Sequence, residues 1–171
     1  MKLLLCLIFF SSVVSACPAE GKLPVDALQM LYRNQEVMEY VCVGNPTCDE
    51  SEFLANLDVK EINLSSSPDK KISAVLVEPT KKGRQYFSAV FVKNACESQM
   101  VFSPDTSLSG LKIMTASKNR FYILRGTERD STESWKETDY GYDSKLKQYT
   151  EIKTRCFREK NGKSVAIKCD A

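Results

Sequence analysis

Ile72-Ser-Ala-Val-Leu-Val77 and, after a polar linker, Tyr86-Phe-Ser-Ala-Val-Phe-Val92 decide the fold of this 171-residue chain. Both runs are short, rich in β-branched and aromatic residues, and apolar at neighbouring as well as alternate positions. That is the signature of a strand covered on both faces. Pro79 to Arg84 joins them as a polar hairpin loop. Upstream, Val59 to Leu64 alternates and ends in the turn cluster Ser65-Ser-Ser-Pro-Asp69. Downstream, further strands are expected at 99–102, 111–115, 121–124, 135–142, 148–157 and 163–169. Sequential strands with short turns predict an antiparallel meander.

Before residue 58 the period is helical. Pro24 suits a first turn and Asp26 complements the positive helix N-terminus. Leu28, Leu31, Met38 and Val41 recur on one face, so a helix is expected over about 25–41. Gly44 and Asn45-Pro46 end it, and a brief helical turn follows at 50–56. The expected fold class is α+β, mostly β: an N-terminal helix and a disulfide-stapled β-meander in one domain, 17–171.

The chain begins Met1-Lys-Leu-Leu-Leu-Cys-Leu-Ile-Phe-Phe-Ser-Ser-Val-Val-Ser-Ala16. Lys2, the apolar run 3–10 and the small residues before Cys17 form a signal peptide, 1–16, too short to span a bilayer. Val14-Ser-Ala-Cys17 also resembles a bacterial lipobox, in which the cysteine takes lipid; membrane attachment is expected only in that case. Without Cys6, six of the seven cysteines remain. In an oxidising compartment these are expected as staples. Cys42 and Cys48 flank a tight loop, and Cys156 and Cys169 flank a hairpin. Cys96 is then left for Cys17, unless Cys17 carries lipid. The terminal pair competes with a two-residue turn at Asn161-Gly162, which would set Cys156 opposite Ile167. A disulfide therefore favours a longer loop, 161–164.

Charge and composition narrow the function. Lys plus Arg total 24 against 22 acids, a net of +2, or about +1 once Lys2 leaves with the signal. Nucleic acid is not an expected partner, since phosphate binding needs a concentrated basic excess. The chain has no histidine. That excludes Ser-His-Asp and Cys-His hydrolases and His-based zinc enzymes, but not carboxylate-pair or Ser-Lys chemistry. No cofactor or metal site is expected.

The segment Arg125-Gly-Thr-Glu-Arg-Asp-Ser-Thr-Glu-Ser-Trp135 reads as an exposed loop between two strands. It offers Arg125, Glu128, Arg129, Asp130 and Trp135, with the arginine and tryptophan types that dominate interface energy. The neighbouring strand adds Tyr140 and Tyr142 on one face, with Lys136 and Thr138. Glu137 and Asp139 share the other face at about 7 Å, a spacing open to inverting glycosidases. Asn63-Leu-Ser65 fits a glycosylation sequon.

Val59-Lys-Glu-Ile-Asn-Leu-Ser-Ser-Ser-Pro-Asp-Lys-Lys-Ile-Ser-Ala-Val-Leu-Val77 resembles a degraded strand-loop-strand of the FG-GAP type. Trp135-Lys-Glu-Thr-Asp-Tyr-Gly-Tyr-Asp143, continuing to Tyr149 and Cys156, resembles the last hairpin of small bacterial periplasmic proteins carrying that unit. The resemblance implies a β-rich fold, propeller-like or sandwich-like, over 59–157 and no particular activity. The family's Asp-rich calcium loop is missing between Asn63 and Asp69, so no metal ligand carries over.

Together these readings predict an exported, non-catalytic protein that binds another protein, such as a periplasmic inhibitor or immunity protein against a cell-envelope hydrolase. The alternatives are a lipid-anchored envelope component and a carboxylate-dependent hydrolase.

Overall fold

The computed structural model describes residues 25–42, 45, 47–94, 97–103 and 107–169. The expected signal peptide and the proposed Cys17–Cys96 pair lie outside them. Among the described residues three short helices come first: α1 (Val25–Tyr32), α2 (Gln35–Val41) and α3 (Glu50–Ala55). The helix expected over 25–41 is thus two, because Asn34 turns out of helical geometry and caps α2, its Oδ1 accepting from Val37 N at 3.2 Å. Asp49 caps α3 in the same way, accepting from Glu52 N at 2.8 Å.

Among the described residues nine strands follow, in two antiparallel meanders. The first sheet runs β1 (Leu57–Asn63), β2 (Ser73–Pro79), β3 (Ala89–Asn94) and β4 (Glu97–Phe102) in chain order. The second runs β5 (Gly110–Lys118), β6 (Phe121–Arg129), β7 (Ser134–Asp143), β8 (Gln148–Lys160) and β9 (Lys163–Ile167). Each strand pairs with its neighbour in sequence. The Tyr86 end of the second deciding run stands apart from β3 and makes an isolated bridge to Leu108.

The double-sided apolar pattern of β2 and β3 has its physical reason in two cores. Val75, Val77, Ala89 and Phe91 meet the helices, whose Ala27, Leu31, Val37, Val41 and Phe53 are buried with them. Ala74 and Val90 point the other way, into a core with Val101, Phe102, Leu108, Leu124 and Tyr149. That second core draws from both sheets. Asn63 closes the β1–β2 turn by accepting from Ser65 N and Ile72 N at 3.1 Å each, so the sequon's side chain is engaged locally.

Two disulfides are present among the described residues, Cys42–Cys48 and Cys156–Cys169, as an oxidising, exported location permits. The longer loop expected at 161–164 is corrected. Asn161 and Gly162 have φ of 54° and 70° and form a two-residue turn, with Lys160 opposite Lys163 and Cys156 opposite Ile167. The disulfide still closes, with Cα atoms 5.2 Å apart, because the chain leaves β9 after Ile167 and brings Cys169 back. Among the described residues no helix is long and apolar enough to cross a membrane.

Candidate functional site

The segment 125–135 is not the exposed loop its polarity suggests. Residues 125–129 continue β6, and Ser134 and Trp135 begin β7. Register pairs Arg125 with Asp139, Glu128 with Lys136 and Arg129 with Trp135. Only 130–133 form the turn, closed by Asp130 N and Ser131 N donating to Ser134 O at 3.2 Å each. Asp130 stands exposed at this tip. Strand alternation then separates the candidate residues: Arg125, Arg129 and Trp135 lie on the outer face of the second sheet, Glu128, Tyr140 and Tyr142 on the inner face.

On the outer face, four charged side chains from three strands converge. Arg125 Nε donates to Asp139 Oδ1 at 2.6 Å and its Nη2 to Oδ2 at 3.0 Å, a two-point grip. Arg155 Nη2 donates to Asp139 Oδ2 at 2.9 Å from the opposite side, and Glu137 Oε2 lies 3.6 and 3.8 Å from the two guanidinium groups. The hydrogen bond from Arg125, with the charges of Arg125 and Arg155, holds the Asp139 carboxyl below its usual range against the effect of burial. A carboxyl so held keeps no proton near neutral pH. Asp139 is thus poorly suited to the proton-donating role in glycoside hydrolysis.

Beside the quartet, Trp135 stacks on Phe157 with ring centroids 5.6 Å apart, and the Arg129 guanidinium lies 5.8 Å from the Trp135 ring centroid. Both rings remain partly open to solvent. Gln85 Nε2 donates to Arg129 O at 3.1 Å, tying the strand end to the loop after β2. This outer face is a charged row and an aromatic row held in register by three paired strands.

The inner face is occupied differently. Tyr140 packs edge-on against Phe102 at 5.0 Å, and Tyr142 stacks on Phe121 at 3.8 Å. Burial raises the Tyr142 and Tyr149 hydroxyls above their ordinary range, and Tyr149 Oη donates to Tyr122 O at 3.0 Å. These tyrosines serve the core. Leu108 and Tyr140 close over β6 at Gly126, where a Cβ would lie 3.0 and 3.2 Å from them and push both side chains back slightly. Toward the strand ends the core opens into a cleft of about 630 Å³ between β4 and β6–β8. Its polar floor is the Glu128–Lys136 ion pair at 2.9 Å and the Thr138–Thr154–Glu151 chain, with links of 3.0 and 2.6 Å.

Sequence reasoning thus finds Arg125, Arg129 and Trp135 but misses Arg155 and Phe157, their partners in space. Only the β7–β8 register, which opposes Glu137 to Arg155 and Trp135 to Phe157, brings them in. Among the described residues no group of histidine, cysteine, aspartate or glutamate is arranged to hold a metal ion. No protein family, curated protein or solved structure matches the chain.

Proposed function

We propose that this protein is an exported, non-catalytic binding protein that recognises another protein through the outer face of β6–β8, and that it acts as a periplasmic inhibitor or immunity protein toward a cell-envelope hydrolase. The observation that carries the reading is the Arg129–Trp135–Phe157 stack beside the Arg125–Asp139–Arg155 grip. Arginine and tryptophan anchors fixed before contact lose little ordering entropy on binding. The signal-like N-terminus and the two disulfides support export. The fold behind this face is read as sandwich-like, with both sheets contributing to the second core.

The test is affinity capture from envelope extract with oxidised protein, followed by inhibition assays on the hydrolases recovered. Trp135→Ala and Arg129→Ala are each expected to weaken capture about tenfold or more, the loss of one interface anchor. Recovery of no hydrolase by the wild-type protein, or capture unchanged in both variants, would overturn the proposal.

A further inference from the structure

Among the described residues four strands are sheet edges, and three are defended. β1 carries Asp58, Lys60 and Glu61, with Lys60 Nζ 2.6 Å from Asp58. β4 packs against β8, and its pairing with β3 is bulged. β5 loses register between Ile113 and Ser117 and carries Lys112 and Lys118. Charges, bulges and cover of this kind are what keep an edge from pairing with another chain.

β9 has less: it carries one charge, Lys163 at its first residue, and no bulge or packed cover. Its register with β8 is unbroken from Lys160–Lys163 to Cys156–Ile167, and Ser164-Val-Ala-Ile167 holds no charge and no proline. All five of its residues are exposed, Val165 at 43% and Ile167 at 37%. The two-residue turn makes Lys160 and Lys163 a hydrogen-bonded pair. Alternation then turns the N–H and C=O of residues 163, 165 and 167 toward β8, and those of Ser164 and Ala166 outward. Among the described residues no backbone hydrogen bond reaches those outward groups.

We infer that β9 is a strand-addition site, and that its occupant is an extended acidic segment of a protein partner. The occupant's charge follows from the surroundings: among the described residues of 158–169, Arg158, Lys160, Lys163 and Lys168 are all exposed, against Glu159. A second copy of this chain would bring the same cations together, whereas a segment alternating acidic and aliphatic residues sets its carboxylates on the face that carries Arg158, Lys160 and Lys163, and its aliphatic side chains on the other face, over Ser164 and Ala166. The inference rests on the reading that the chain binds a protein and adds the mode and charge of the contact.

The test titrates ¹⁵N-labelled, oxidised protein with the peptide acetyl-Glu-Val-Glu-Val-Glu-Val-Glu-amide. Saturating shifts are expected at the Ser164 and Ala166 amides, with none from the peptide in which lysine replaces glutamate. Methylating alternate peptide nitrogens on one edge should weaken binding about tenfold or more, while methylating the other edge leaves it. Ala166→Pro deletes an outward donor without touching the β8 bonds, and should abolish the shifts with the rest of the spectrum unchanged. No binding, equal binding by both methylated peptides, or a concentration-dependent dimer shifting the same amides would overturn the inference. The methylated peptides decide the matter even if Ala166→Pro frays the hairpin. Hydrolase capture without peptide binding sinks the strand-addition site alone; peptide binding without any hydrolase recovered sinks the inhibitor reading alone.

Discussion

Asp139 shows how a single residue is fixed by its neighbours on adjoining strands. Its side chain is 11% exposed and accepts from two arginines, one on each flanking strand. Removing the charge leaves Arg125 and Arg155 with only the more distant Glu137 carboxylate, 3.6 and 3.8 Å away, to balance them. Asp139→Asn is therefore expected to cost about 2–4 kcal/mol, read by urea denaturation near neutral pH. Arg155→Met should cost less than Asp139→Asn in the same assay. Arg155 Nε is buried without a hydrogen-bond partner, so part of its desolvation is uncompensated, and Arg125 still holds the carboxylate. The dependence on pH has a fixed sign. The folded carboxyl titrates below its unfolded value, mainly because Arg125 donates to it, with the Arg125 and Arg155 charges adding. Its contribution is complete above the unfolded value of about 4 and is lost as pH falls through the lower folded value. The stability gap between wild type and Asp139→Asn should hold steady from about pH 6 to 8 and narrow below about pH 4.

At the scale of elements, the β8–β9 hairpin separates local from global stability. Gly162 has a φ of 70°, and a Cβ at this position would meet no atom within 4 Å, so the cost of Gly162→Ala is purely conformational, about 1 kcal/mol. Because β9 is exposed along its whole length, that cost should appear as faster hydrogen exchange at residues 163, 165 and 167, with the global unfolding midpoint nearly unchanged. An equal shift of the global midpoint would show instead that β9 is part of the main cooperative unit. The same hairpin shows what a sequence pattern carries. Asn161-Gly162 and Cys156/Cys169 are both legible, but on a flat ladder they exclude each other. They coexist because residues 168–169 leave the ladder. β2 and β3 are legible because both their faces are apolar, each toward its own core. Residues 125–129 are not, since Arg125, Glu128 and Arg129 are satisfied sideways, by Asp139, Lys136 and the Trp135 ring. A strand whose polar groups are paired across a sheet has the composition of a loop. The break at Asn34 is hidden for a related reason: the apolar spacing resumes in α2, and only the cap reveals the interruption.

Across the whole molecule, the decisive feature is that β2 and β3 serve two cores at once. Val75, Val77 and Phe91 tie the helices to the first sheet, while Ala74 and Val90 tie that sheet to Leu124 and Tyr149 of the second. Loss of either core uncovers one face of the same two strands, so neither half keeps its packing alone. Two distant truncations test this. Phe53 and Leu124 are both fully buried, one under the helices and one in β6. Phe53→Ala should cost about 3–5 kcal/mol and Leu124→Ala about 2–5 kcal/mol. Trp135, the single tryptophan, reports on the second sheet by fluorescence, while far-ultraviolet circular dichroism weights the helices. Each variant should shift both signals by the same amount, through one coincident transition. If Phe53→Ala moved the dichroism transition and left the Trp135 transition in place, the helices with the first sheet would unfold apart from the second. The shared strands would then not couple the two cores, and the outer face around Trp135 would have to be understood as the property of an independent five-stranded sheet.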